Sequence, residues 1–244
     1  MMTRDLHTHS TFSDGINTPE EIVLSAIEKG LKTIGISDHS YTSFDTYGCM
    51  PPERTEEYIV EIQRLKEKYH DKIEILCGIE QDIFSGAPKH KFDYVIGSVH
   101  FIKLGEEYIA VDLSAKDLKN AADKYFNGDI YGVVKEYYRL VGKVHEVTGA
   151  NIIGHLDLIT KFQEKEPLFD EQDERYISAW QSAVDELIKA DVVFEINTGA
   201  VSHGYRTTPY PSPAIKEYIL KNGGSFVYNS DSHSADAVAN FKDL

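Results

Sequence analysis

Short apolar or β-branched runs alternate with longer amphipathic stretches along most of the chain. Residues 5–8, 33–37, 73–78, 94–99, 152–154, 192–196 and 225–229 read as strands, and residues 19–29, 53–69, 130–147, 170–190 and 212–220 read as helices. The first helix opens with Thr18 in the capping position, Pro19 at the first helical position and Glu20 and Glu21 behind it. In the second, Tyr58, Ile62, Leu65 and Tyr69 recur at helical spacing. Alternation of strand and helix within one chain predicts a parallel sheet covered by helices, and about seven such units favour a barrel over an open sheet. Two segments interrupt the rhythm. Residues 40–52 are rich in aromatics, Gly, Met and Pro, and residues 101–128 are long and mixed, with one further short strand at 108–111. Long loops in a barrel sit at its catalytic face, which makes both of them candidate lids.

Length and composition then set limits. The chain has 244 residues, 41% of them hydrophobic, enough for one domain with a full core over 1–244. A formal charge of −15, from 40 acidic against 25 basic residues, argues against nucleic acid as a partner, because no basic face is clustered in the sequence. No stretch approaches the length of a membrane span, and the charged start, Thr3-Arg4-Asp5, stands where a leader would need an apolar run. The two cysteines, Cys49 and Cys77, form no disulfide framework, so the chain reads as cytoplasmic.

The candidate chemistry lies where the predicted strands end. His7 and His9 close the first, and residues two apart on a strand point to one side. Asp14 follows in a Ser13-Asp14-Gly15 turn. The second strand runs into Asp38 and His39, the third into Glu80, the fourth into His100, the fifth into His155 with Asp157 behind it, and the last into Asp231-Ser232-His233. In a parallel barrel these carboxyl ends converge on one face. So many acids and imidazoles converging there are costly without cations, because buried charges need partners. His7, His9, Asp14, His39, Glu80, His100, His155, Asp231 and His233 make nine candidate ligands. One metal takes about four to six, so the count implies two or three divalent ions, and imidazole with carboxylate suits Zn, Mn or Fe. Three such ions with three carboxylates and one hydroxide leave a net charge of about +2, a match for a phosphate dianion.

In order along the chain, His7-Thr8-His9 with Ser13-Asp14-Gly15, Ser37-Asp38-His39, Gly78-Ile79-Glu80, Ser98-Val99-His100, Gly154-His155-Leu156-Asp157 and Ser230-Asp231-Ser232-His233 resemble the motifs of the PHP (polymerase and histidinol phosphatase) superfamily. Met50-Pro51-Pro52-Glu53, the run from Phe92 to Phe101, and Glu195-Ile196-Asn197-Thr198-Gly199 leading to Arg206 and Pro209-Tyr210-Pro211-Ser212 are similar to its histidinol-phosphatase branch. The resemblance implies a distorted (β/α)7 TIM-like barrel, the PHP fold. It also implies a trinuclear site: His7, His9, Glu80 and Asp231 on one metal, Glu80, His100 and His155 on a second, and Asp14, His39 and His233 on the third. Arg206 is implied as the phosphate ligand, with His203 assisting. Two stretches depart from the pattern. The chain ends eleven residues past His233, where relatives carry a longer final helix, and residues 200–206 differ from the shorter Arg-bearing loop of the branch.

The implied reaction is hydrolysis of a small phosphorylated metabolite, with L-histidinol phosphate first. A metal-bridging hydroxide attacks phosphorus in line, and His233 or Asp157 protonates the leaving group. The competing readings are a PHP phosphoesterase for another metabolite or a nucleotide, and a metal-stabilised regulatory module without turnover. Asp82, two past Glu80, points the same way on an extended chain and is a candidate partner for a ligand imidazole. His70, His90 and His145 have no strand-end context, Trp180 reads as core, Phe44, Tyr47 and Met50 either line the pocket or pack a loop, and residues 161–166 read as a solvated turn.

Overall fold

The computed structural model describes residues 3–241. In chain order, β1 is Arg4–Asp5, β2 Thr33–Ile36, β3 Glu74–Asp82 and β4 Tyr94–Ser98; β5, Phe101–Leu104, and β6, Glu107–Ala110, form a separate antiparallel hairpin; β7 is Ile152–Ile153, β8 Val193–Asn197 and β9 Ser225–Asn229. The other seven strands pair in parallel in the order β1-β2-β3-β4-β7-β8-β9. The ring closes beyond the last strand: Thr8 bridges Ser232 in parallel, with the His9 N–H donating to the Ser232 carbonyl at 2.8 Å and the Ser232 N–H to that of His7 at 3.2 Å. This is the expected distorted (β/α)7 barrel, and its closure brings the first and last motifs side by side.

The barrel interior is narrow because Tyr94 crosses it. Its hydroxyl donates to the Leu6 carbonyl at 2.5 Å. A Cβ at Gly35 would stand 2.1 Å from the Tyr94 oxygen, and one at Gly78 2.2 Å from its ring, so only glycine lets the phenol pass β2 and β3. Outside, α1 (Pro19–Glu28) starts in a capping box, where the Glu21 N–H donates to Thr18 Oγ1 at 3.3 Å and the Thr18 N–H to Glu21 Oε2 at 2.7 Å. The next helix, α2 (Thr55–Lys68), buries Tyr58, Ile62 and Leu65 against the sheet side of the core.

Three sequence expectations are corrected. The segment 101–128 is not mostly loop: besides the β5–β6 hairpin it holds α3, Ala115–Phe126, whose buried stripe of Ala115, Leu118, Ala121 and Ala122 is too small-sided to stand out as apolar. The expected helix 130–147 is two, α4 (Ile130–Val141) and α5 (Val144–Thr148), parted at Gly142, where a side chain would press on Ala183. That alanine belongs to α6, Glu174–Lys189, which is capped by Asp173 and carries Trp180 into the core as expected. Residues 161–166 are not simply solvated, since Phe162 and Gln163 are buried. The last helices are α7, Gly199–Ser202, and α8, Pro213–Lys221. Among the described residues, no helix is long and apolar enough to cross a membrane.

Candidate metal centre

His7 and His9 extend past β1 with Thr8 between them, whose hydroxyl donates to the Gly35 carbonyl at 2.9 Å and points away from both rings. The buried carboxylate of Asp38 then folds the chain back. It accepts the Ser10 N–H at 2.7 Å, the Ser10 hydroxyl at 2.6 Å, the Ser13 N–H at 3.1 Å and the Ser13 hydroxyl at 2.5 Å. Gly15 completes the return, because a Cβ there would lie 2.2 Å from the His9 carbonyl oxygen. The turn sets Asp14 3.9 Å from His9, 3.7 Å from His39 and 3.4 Å from His233. At the other end of the chain Asp231 sits at φ 54°, a left-handed backbone that Asp tolerates and that turns its carboxylate into the cluster.

All nine candidate ligands meet here. Glu80 is the hub: Oε2 lies 2.7 Å from His39, 3.3 Å from His7 and 3.7 Å from His9, and Oε1 lies 2.9 Å from His155 and 3.3 Å from His100. Asp231 Oδ1 stands 3.1 Å from His9 and 3.5 Å from His7. Four overlapping sets bring one donor atom from each member within 4.8 Å of the others: His9, Asp14, His39 and His233; His7, Glu80 and His155; His7, His9 and Asp231; His39, Glu80 and His100. His7, His9 and His39, like Glu80, each belong to two sets, and for the three histidines the motif order did not express that sharing.

The donor atoms face one another rather than opposite partners. Among the described residues, His7 Nε2, His9 Nδ1 and Glu80 Oε2 are buried without a hydrogen-bond partner and no Lys or Arg pairs with Glu80 or Asp231. Burial alone would push both carboxyls up. The charges of His39, His7 and His100 outweigh it at Glu80, and those of His7, His233 and His9, with a hydrogen bond from His9, do so at Asp231, so both are held well below the carboxylate range. Burial, with His233 and His39 alongside, lowers His9 to about 3. Buried lone pairs aimed at each other, in a mixed imidazole and carboxylate set, fit divalent cations of the Zn, Mn or Fe type.

The cluster floors a cleft of about 540 Å³. Thr42, Asp45, Tyr47, Gly48 and Cys49 of the first interrupting segment and Phe101 and Asp112 of the second line its mouth. Tyr47 there is 94% exposed, whereas Phe44 stacks on Tyr108 at 3.6 Å beside Phe84 and Phe101, and Met50 is buried in the core.

The PHP domain model matches residues 5–199. The chain belongs to the PHP domain family. It is similar, at 27% identity over 98% of this chain and 93% of the relative, to a "Probable histidinol-phosphatase" of Deinococcus radiodurans. Its fold is similar to that of a Listeria monocytogenes structure described as a "putative histidinol phosphatase", with TM-score 0.82, 22% identity and 98% of both chains covered. It is also similar to the histidinol phosphate phosphatase of Lactococcus lactis complexed with Zn, L-histidinol and phosphate, with TM-score 0.70, 22% identity, and 96% of this chain and 87% of that one covered.

Within this PHP barrel, the substrate-side residues read from sequence fare differently from the ligands. Arg206 is buried and does not line the cleft. Its guanidinium lies over the Tyr210 ring at 4.7 Å, bonds to Thr160 and stands 4.0 Å from Asp157. Asp157 is fully buried too, spends Oδ2 on the Ser212 N–H at 2.9 Å, and is likewise absent from the cleft wall. His203 and His233 do line it. Among the described residues the one Lys or Arg along the cleft is Lys161, from the turn read as solvated; its ammonium donates to the Asp112 carbonyl at 2.9 Å and lies 3.7 Å from that residue's carboxylate. Asp82 Oδ2 accepts the His100 N–H at 3.0 Å and lies 3.4 Å from its ring Nδ1. Glu195, which the sequence offers only as part of a family-like stretch without a site role, is completely buried, with Oε1 2.7 Å from His7 Nδ1. Its signal was present as an acid inside an otherwise apolar strand. His70, His90 and His145 take no part in the cleft.

Proposed function

We propose that the cleft is the active site of a phosphomonoesterase that hydrolyses L-histidinol phosphate to histidinol and phosphate, using two or three divalent ions. The observation that carries this reading is the cage of imidazoles and carboxylates whose buried lone pairs oppose one another around Glu80. The names of the similar proteins, and the Zn, L-histidinol and phosphate in the Lactococcus lactis complex, support the choice of metal and substrate. In this reading His7, His9, Glu80 and Asp231 hold one ion, Glu80, His100 and His155 a second, and Asp14, His39 and His233 a third. The ions supply an acidified water and positive charge for the phosphoryl oxygens.

The chain's own residues do the rest. Lys161 offers its ammonium to the non-bridging phosphate oxygens as a point charge, in the role first given to Arg206. Arg206 instead packs on Tyr210, which lines the cleft, and stands beside Asp157 behind the wall. His203 has Nδ1 tied to the Gly199 carbonyl at 3.0 Å, so it meets substrate only through Nε2. Asp45 and Asp112, over the mouth, suit the ammonium of an amino alcohol. The reading takes residues 1–244 as one domain. It places the enzyme in a reducing cytoplasm, in keeping with free Cys49 and Cys77.

The test is phosphate release by purified protein loaded with Zn, Mn or Fe, against L-histidinol phosphate, sugar phosphates and nucleotides. A kcat/KM for histidinol phosphate at least roughly tenfold above the others is expected, a difference of about 1.4 kcal/mol. A metal-loaded protein that releases phosphate from none of them rejects the reading.

A further inference from the structure

Glu195 lies on β8, faces the barrel interior and is wholly buried. Its two oxygens receive four donors. Oε1 accepts His7 Nδ1–H at 2.7 Å and Asn229 Nδ2–H at 2.8 Å; Oε2 accepts the backbone N–H of His155 at 2.9 Å and Asn197 Nδ2–H at 2.9 Å. The orientation of both amides is set independently. Asn229 Oδ1 accepts the Leu6 N–H at 2.9 Å and Asn197 Oδ1 accepts the Gly199 N–H at 2.9 Å, so each must turn its NH₂ toward Glu195. A carboxylate has four lone-pair positions, and all are used. Glu195 therefore has no lone pair left for a metal and no acceptor for a carboxylic proton.

This arrangement decides the state of His7. Facing an acceptor, Nδ1 must carry hydrogen, which in the neutral ring leaves Nε2 as the lone pair. That nitrogen points at Glu80 Oε2, 3.3 Å away, and Asp231 Oδ1, 3.5 Å away. The same plate reaches two further ligands, His155 through its backbone N–H and Asp231 through Asn197 Nδ2, which also donates to Asp231 Oδ2 at 3.1 Å.

We propose that Glu195 is a positioning residue for metal capture: it fixes the tautomer and ring plane of His7 and, through His155 and Asn197, the aim of two more ligands, without binding metal itself. The inference rests on the metal-binding reading of the cleft. An outer acceptor on a ligand imidazole raises its basicity and removes its rotational freedom, and losing one weakens metal affinity by roughly 10–100-fold.

Competition with a graded chelator, read as metal bound per chain, tests this without an activity assay. Glu195→Gln puts an NH₂ against two donors in either orientation, so it should weaken retention by roughly 10–100-fold and release about one ion, while the Asp14, His39 and His233 side stays loaded. Adding Glu195→Gln to His7→Ala should cost less than Glu195→Gln costs alone, because the largest part of the effect runs through His7 and only the parts through His155 and Asn197 remain. If Glu195→Gln does not fold, Glu195→Asp keeps the charge and withdraws it by one methylene, and weaker retention is again expected. Wild-type retention in the variants, or losses that multiply in the double variant, overturns the proposal. A wild-type chain that holds no metal overturns this proposal and the functional reading together.

Discussion

His39 and Glu80 pair twice: past the end of β2 the His39 backbone forms a parallel bridge to Glu80 on β3, and their side chains meet at 2.7 Å through Nδ1 and Oε2. The backbone bridge makes the side-chain contact a consequence of strand register, so the ligand geometry is inherited from the barrel. Ser98 on β4 donates to the other Glu80 oxygen at 2.6 Å and holds the carboxylate broadside to five histidines.

Replacing Glu80 should therefore release more metal than replacing any single histidine. Glu80→Gln is expected to release more than one ion per chain and to lower kcat by about 10³-fold or more, whereas His100→Ala should lose about one ion and still abolish useful turnover. Metal analysis beside steady-state kinetics checks this. Full metal content with substantial activity in Glu80→Gln would contradict the shared-ligand geometry.

Lys161 and Arg206 make opposite predictions. Lys161→Ala removes the cleft's cation and should raise KM for the phosphate ester about tenfold, with little change in melting temperature. Arg206→Ala leaves Asp157 buried beside an empty guanidinium site and should cost about 3 kcal/mol in stability or more. Kinetics and thermal unfolding on both variants separate the roles. An Arg206 variant of normal stability but with KM raised more than that of Lys161→Ala would restore the phosphate ligand to Arg206.

In the metal-free chain, stability should peak near pH 6.5. Burial lowers His233, but the hydrogen bond to Asp14 and the charges of Asp231 and Asp14 outweigh it and lift the group from 6.5 to about 9. The folded state then holds this proton more tightly than the unfolded one. That contribution is complete below about 6.5 and is lost as pH rises toward 9. His9 acts with the opposite sign. Lowered from 6.5 to about 3, it refuses a proton that the unfolded chain accepts, and that penalty is relieved as pH rises from about 3 to 6.5. Melting temperatures of chelator-treated protein from pH 4 to roughly 9 trace both limbs. A steady climb through the upper limb would argue against a protonated His233.

Metal should reverse the upper limb. Cation binding must displace the protons that the neighbouring carboxylates hold on His7, His39 and His100, so uptake releases protons and weakens as pH falls. At a free metal concentration about a thousandfold above Kd, stabilisation of about 4 kcal/mol is expected. Calorimetric titration in buffers of different ionisation enthalpy reads the released protons directly.

The sequence by itself determined the alternation of strand and helix, the barrel, and the identity of the nine residues that converge at its mouth. Those features are written in local periodicity and in polar residues placed at the ends of apolar runs, and a parallel barrel has only one face where such ends can gather. It did not determine the helix Ala115–Phe126, whose buried face is largely alanine, or the break at Gly142, which answers to close packing against Ala183. Tertiary structure alone decided that Lys161 reaches the cleft while Arg206 and Asp157 pack behind it, and that Glu195 supports His7 from 188 positions away. The reason is physical: what a charged side chain touches depends on which distant segments fold against it, and neither residue type nor spacing along the chain encodes that contact.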